Sequence, residues 1–146
     1  MKISTKGRYA IRLMIDIGLN DSNYVRLKDA AKRQEISLKY LEQISGALQK
    51  AGLLISSRGS QGGYKLARKP EDYTVLDILQ VTEGNLAPIS CLEDEVNTCT
   101  RYSKCATIEM WEGLDKVIKE YLKSINLSEL MEKEKSHKSE IIDYFI

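Results

Sequence analysis

Apolar positions recur at helical intervals along most of the chain and break into a strand-like run only once. Near the start, Tyr9, Leu13 and Ile17, with neighbouring Ile and Met residues, share one helical face. Leu27–Arg33 is a second short amphipathic segment, with Leu27, Ala30 and Ala31 inward. After a tight connection at residues 34–36 comes a third helix. Its N-cap is Ser37, whose hydroxyl can accept from an orphan N–H of the first turn. Leu38, Leu41, Ile44, Leu48 and Ala51 fall on its buried face. Lys39, Gln43, Gly46 and Lys50 fall opposite, with Glu42 at the edge of that face and Tyr40 between the two. Gly52 follows where a left-handed residue closes a helix. Leu53–Arg58 and Tyr64–Leu66 then read as strands around a loop holding Gly59, Gly62 and Gly63.

Helix, short turn, capped helix and glycine-tipped hairpin, in that order, is the layout of a winged helix-turn-helix. The polar face of the third helix suits a major groove. Gln pairs bidentately with adenine, Lys reaches guanine or phosphate, and Glu accepts from cytosine. Gly46 costs a helix roughly 1 kcal/mol relative to Ala, which a close approach of a phosphate backbone would justify. Arg58, beside Gly59 and Ser60 in the loop, suits a narrow, electronegative minor groove. An ordinary solvated helix shows a similar face, so the ordered series carries more than any one element.

The second half starts with a helix over Val75–Glu83 that turns at Gly84 and Asn85. A loop follows that carries Cys91 and Cys99, with Cys105 at the start of the next helix, in the spacing C-x7-C-x5-C. Polar neighbours make these unlike core cysteines. Soft thiolates on a loop suit an iron–sulfur cluster or zinc, with incidental thiols as the bland alternative. Over Ala106–Ser124, the residues Trp111, Leu114, Ile118, Tyr121 and Ile125 follow alternating three- and four-residue spacing, the mark of a helix–helix seam. A short helix is expected over Ser128–Lys135, and the chain ends in the apolar sequence EIIDYFI.

Charge sharpens the division. The 146 residues carry a net charge of +1. Residues 1–69 hold 14 Lys/Arg and 5 Asp/Glu, a net of +9, while residues 70–146 hold 8 and 16, a net of −8. A basic half joined to an acidic half points to a polyanion-facing module beside one that must not bind nucleic acid. Lys2, Lys6 and Arg8 add phosphate-holding cations at the start. No apolar run is long enough to span a membrane. Arg12 and Asp16 interrupt the early apolar stretch, which argues against a signal peptide and for a cytoplasmic protein. No Ser/His/Asp set, phosphate loop or complete metal-hydrolase motif is present, and His137 is the one histidine, so an enzyme is disfavoured.

The segments MKISTKGRYAIRLM, ISLKYLEQ and GLLISSRGSQGGYKLA, with the later C…C…KC…W, resemble the iron–sulfur cluster regulator (IscR-like) family of bacterial winged-helix transcription factors, to about Glu132. The resemblance implies an iron–sulfur cluster on Cys91, Cys99 and Cys105, with 2Fe–2S the first choice and its nuclearity open. It also implies a homodimer on a near-palindromic double-stranded DNA operator. Two departures stand out. Ile108 occupies the place where a histidine completes the ligand set in the best-known members, and the first cysteine gap is two residues longer. The fourth ligand is left open between Glu109, Glu112, an N-terminal residue of the partner subunit, and a thiol or solvent. A second resemblance, to the cysteine metabolism repressor (CymR-like) branch, implies capture of the terminal Ile146 by cysteine synthase.

The expected fold is mainly α with a small β-hairpin wing: a winged helix-turn-helix plus a long dimerisation helix. Expected units are a DNA-binding domain over 1–84, a cysteine-bearing loop over 85–105, dimerisation helices over 106–135 and a tail over 136–146. DNA contacts are expected from Lys2, Lys6, Arg8, Ser37, Lys39, Tyr40, Glu42, Gln43, Lys50, Arg58, Gly59 and Ser60. The rivals are a cluster-free thiol redox sensor and a sensor whose winged helix docks protein.

Overall fold

Helix α1 (Thr5–Leu19) is the centre of the computed structural model, which describes residues 2–145. Ser4 caps it by accepting from the Gly7 amide at 3.0 Å, and its own hydroxyl donates to Glu83 at 2.5 Å. Ala10, Leu13, Met14 and Ile17 are fully buried, so the face read from spacing is the face around which the other helices pack. Helices α2 (Leu27–Gln34) and α3 (Leu38–Lys50) lie against it. The turn between them passes through Glu35 at φ 55°, a left-handed residue that closes α2 and redirects the chain within two residues.

One polar cluster is sealed among these helices. Asp16 is buried at 2% exposure and accepts from Arg33 Nε and Nη2 at 3.0 and 2.8 Å and from Gln34 Nε2 at 3.2 Å. A carboxylate cannot sit in a core without such partners. The hydrogen bond that Arg33 donates to Asp16 is the main reason its pKa lies above its ordinary value, against partial desolvation that lowers it. Arg12 adds contacts from its guanidinium to the side chain and carbonyl of Gln34.

Helix α3 begins as the sequence predicts. Ser37 accepts from the Tyr40 amide at 3.2 Å. Ile36 before the cap and Leu41 after it are both in the core, a hydrophobic staple that sets the entry angle. At the other end Gly52, at φ 80°, donates to Gln49 O and Leu53 donates to Leu48 O, the paired bonds of a Schellman closure. Two members of the expected buried face differ. Leu38 is 38% exposed and Ala51 is exposed, because they lie at the ends of the helix, beyond the span that Leu41, Ile44 and Leu48 pack against α1.

The wing is the antiparallel pair β1 (Leu54–Ser57) and β2 (Gly63–Leu66), with Leu54 opposite Leu66 and Ser57 opposite Gly63. Val25 forms a third rung, exchanging both backbone bonds with Tyr64 at 2.8 Å. Gly63, at φ 152°, permits this approach, since a Cβ there would come within 2.3 Å of Val25 O.

Helix α4 (Val75–Glu83) opens on a capping box in which Thr74 and Asp77 satisfy each other's backbone amides. Helix α5 (Ile108–Ser124) and helix α6 (Leu127–Phe145) complete the fold. The last helix corrects the sequence expectation. It runs for 19 residues rather than ending near Lys135, so residues 136–145 continue the helix rather than forming an irregular tail. Its buried anchors are Leu127 and Met131, both in the α1 core. The remainder is largely exposed, including Ile141 and Ile142, so no buried periodic face marks it as helix in the sequence.

Tyr73 joins the parts. Its ring is fully buried, its hydroxyl donates to Leu53 O at 2.7 Å and accepts from Arg68 N at 2.9 Å, and its carbonyl accepts from Leu127 N at 2.9 Å. Replacing Tyr73 by Phe keeps the ring but leaves the Arg68 amide without its acceptor and Leu53 O with only the bond from Ala67 N at 3.3 Å. The expected loss is about 1–3 kcal/mol of unfolding free energy, read as a lower urea midpoint with an unchanged slope.

Candidate nucleic-acid interface and cysteine loop

The outer face of α3 is built from the residues the core rejects. Lys39, Glu42, Gln43 and Lys50 are exposed, and none makes a side-chain hydrogen bond or ion pair among the described residues. Ser37 serves as the cap described above. Tyr40 is half-buried, its ring edge-on to Tyr9 with centroids 5.6 Å apart, so it stiffens the α1–α3 contact while its rim reaches the surface. Gly46 is exposed, and a Cβ there would meet nothing within 4 Å, which leaves the bare stretch the sequence predicts. Gln49 donates to Ser56 Oγ at 2.7 Å and so ties the helix to the first wing strand.

Arg58, Gly59 and Ser60 are exposed in the loop between β1 and β2. Lys2 and Arg8 are exposed at the start of α1, and Lys6 is half-buried there. Arg8 Nη2 donates to Thr5 Oγ1 at 3.4 Å.

The cysteine loop runs between α4 and α5 through two short three-ten turns, Ser90–Leu92 and Tyr102–Lys104. All three cysteines are free thiols: Cys91 and Cys99 are exposed and Cys105 is half-buried. Among the described residues no three His, Cys, Asp or Glu side chains come together as a group able to hold a metal ion. The donor chemistry fits a thiolate-held group. Three sulfurs free of disulfides sit within 15 residues, and the Asn97 side-chain N–H2, two residues from Cys99, is a buried donor without an acceptor among the described residues. The three sulfurs are not gathered into one ligand set in this arrangement.

Cys105 differs from an ordinary thiol. Its Sγ lies 3.4 Å from Thr107 Oγ1, and this contact is the first cause of a pKa lowered from the usual value, followed by hydrogen bonding from the Thr107 backbone. It lines a cleft of about 410 Å³ together with Tyr102, Ile108, Glu109 and Glu112. Both carboxylates considered as a fourth ligand therefore lie on the same cleft as a cysteine. The Tyr102 hydroxyl donates to Glu112 at 3.0 Å, and that bond raises the phenol's pKa.

The seam expected on α5 is divided by the structure. Leu114 and Tyr121 are exposed, Trp111 and Ile118 are half-buried, and Ile125 packs against the Val75, Leu79 and Leu86 cluster. Met110 and Val117 complete an exposed stripe with Leu114 and Tyr121. Ile146 lies outside the described residues. No described helix is long and apolar enough to cross a membrane.

These features define a winged-helix protein with a basic reading face and a thiol-bearing loop ahead of a long helix. The Rrf2 family model, described as an iron-dependent transcriptional regulator, matches residues 3–133, and the chain belongs to that family of transcriptional regulators rather than among enzymes. It is 39% identical to the protein rrf2 of Nitratidesulfovibrio vulgaris over 132 residues, 90% of this chain and 87% of that protein. Among solved structures it resembles IscR of T. potens at a TM-score of 0.69 and 39% identity, covering 91% of this chain and 88% of the other. It also resembles CymR, the global cysteine regulator of B. subtilis, at a TM-score of 0.74 and 36% identity, covering 91% and 98%.

Sequence reasoning passed over Arg26. The available signal was a cation at the position just before α2, where a small capping side chain is the usual choice. It also passed over Thr107, whose effect on Cys105 gives a pH prediction. Lowering a thiol pKa increases the thiolate fraction at a given pH, and the thiolate is the nucleophile. The rate of iodoacetamide alkylation at Cys105, mapped by mass spectrometry, should rise with a midpoint below that of a small free thiol. Thr107→Val should move the midpoint upward.

Proposed function

We propose that the protein is a homodimeric DNA-binding transcription regulator that responds to iron–sulfur status through Cys91, Cys99 and Cys105. The observation that carries this reading is the uncommitted row Lys39, Glu42 and Gln43, exposed beside the wing on the basic half of the chain. In this reading α3 lies in a major groove with Lys39, Tyr40, Gln43 and Lys50 toward the DNA. Arg58 reaches the adjacent minor groove, and Lys2, Lys6 and Arg8 hold phosphates. Glu42 adds discrimination between bases. Paired copies joined through the Leu114 and Tyr121 stripe would set two reading helices about one DNA turn apart.

Cys91, Cys99 and Cys105 would hold the cluster, with Glu109 or Glu112 near Cys105 and no ligand from Ile108. When bound, the cluster supplies iron- and oxidant-sensitive ligation. The chain's own residues then connect loop to reading head. Tyr102 bonds Glu112 on α5, Ile125 O accepts from Val75 N at 2.9 Å, and Tyr73 bonds Leu53 just after α3. The resemblance to CymR supports a second reading, in which cysteine supply is the signal and the terminal Ile146, beyond the end of α6, is captured by cysteine synthase.

Two measurements test the first reading. On duplexes selected from a randomised library, Gln43→Ala should cost about 1–3 kcal/mol at one base position, and Lys6→Ala should reduce the salt slope by about one unit. A uniform loss across sequences would reassign Gln43 to phosphate. Protein purified without oxygen should carry iron and sulfide, with visible absorption lost on mutating any of the three cysteines. Colourless, iron-free protein after attempted reconstitution would leave the thiol reading in its place.

A further inference from the structure

Arg26 is the last residue before α2, and its backbone carbonyl accepts from the amides of Asp29 and Ala30, starting the helix. Its side chain takes no part in capping. The guanidinium instead donates to the backbone carbonyl of Ser60, at the tip of the wing 34 residues later. Three backbone features bring the two together. Val25 and Tyr64 exchange hydrogen bonds at 2.8 Å, which lays the segment before α2 along β2. Gly63 has no Cβ to hold that segment away. A Cβ at Gly62 would come within 2.2 Å of Ser57 O, so the loop folds tightly back on β1 and turns the Ser60 carbonyl within reach.

We infer that Arg26 is a positioning residue for the wing, clamping its tip so that Arg58 is held at a fixed offset from α3. A two-stranded ribbon is marginal by itself, and among the described residues only Val25 pairs with its second strand from outside. Beyond that rung the tip holds Arg58, Gly59 and Ser60, all exposed, and Arg26 supplies a restraint there. A planar guanidinium suits the task, since one N–H can hold the carbonyl while the other donors stay solvated. The DNA consequence rests on the minor-groove role proposed for Arg58. The clamp itself does not.

The test has two parts. In the free protein, hydrogen exchange at the amides of Gly59, Ser60 and Gln61 should speed up in Arg26→Ala while exchange within α2 and α3 stays as in wild type. Unchanged exchange at the tip would overturn the clamp. On duplexes selected by the wild-type protein, Arg26→Ala should weaken binding about tenfold, the scale of one hydrogen bond to a charged group. The same substitution placed on Arg58→Ala should add less than about twofold, because a residue acting through the wing has nothing left to position. Additive losses with a salt slope lowered by about one unit would instead make Arg26 a direct phosphate contact and overturn the inference. Wild-type protein that selects no duplex would remove the DNA reading, while the exchange result would still decide the clamp.

Discussion

The buried phenol of Tyr73 is the constraint on which the other placements depend. Its hydroxyl ties the end of α3 to the chain leaving the wing, through Leu53 O and Arg68 N, and its carbonyl ties the same point to the start of α6. The Arg68 guanidinium covers the ring at 4.8 Å, closing the site from solvent. In a low-dielectric core each of these bonds is stronger than in water, and each is costly to leave unmade. The reading helix, the wing and the junction between the two long helices therefore hold a common geometry.

The Asp16 cluster does similar work between α1 and α2. It joins α1 to the end of α2 by charge-assisted bonds rather than by fit alone. With the left-handed Glu35 it holds the angle at which α3 leaves the turn. The outer face of α3 is thus supported from behind by two buried polar groups. On the surface of α3, Lys39, Glu42, Gln43 and Lys50 are left without internal partners among the described residues, while Gln49 is tied to the wing. Of the net −8 of residues 70–146, −5 falls in residues 70–107 and −3 on the long α5 and α6 helices.

Much of the reading head was legible in the chain. Ser37, Gly52 and the spacing of Leu41, Ile44 and Leu48 specify α3 locally, because caps and helical periodicity depend on neighbours within a few residues. The glycine hairpin was legible for the same reason, although Gly62 is required by steric contact rather than by an unusual φ. The full length of α6 was not legible. Its C-terminal half is polar on most faces and is stabilised by continuation from Leu127 and Met131, which are anchored on α1 far away in sequence. The seam on α5 was half legible: the period was visible, but which side meets α4 depends on where the Val75, Leu79 and Leu86 cluster lies.

By itself the sequence determined the order of helices and hairpin, the caps, the division into a basic and an acidic half, and the presence of three thiols ahead of a long helix. These follow from local hydrogen bonding, periodicity and composition. Only the tertiary structure decided that Arg26 reaches Ser60, that Asp16 is buried against Arg33, and that Tyr73 joins three elements. It also decided that Glu109 and Glu112 share a cleft with Cys105 while the three thiols stand apart. Each of these is a contact between residues brought together by packing, so no local preference encodes it.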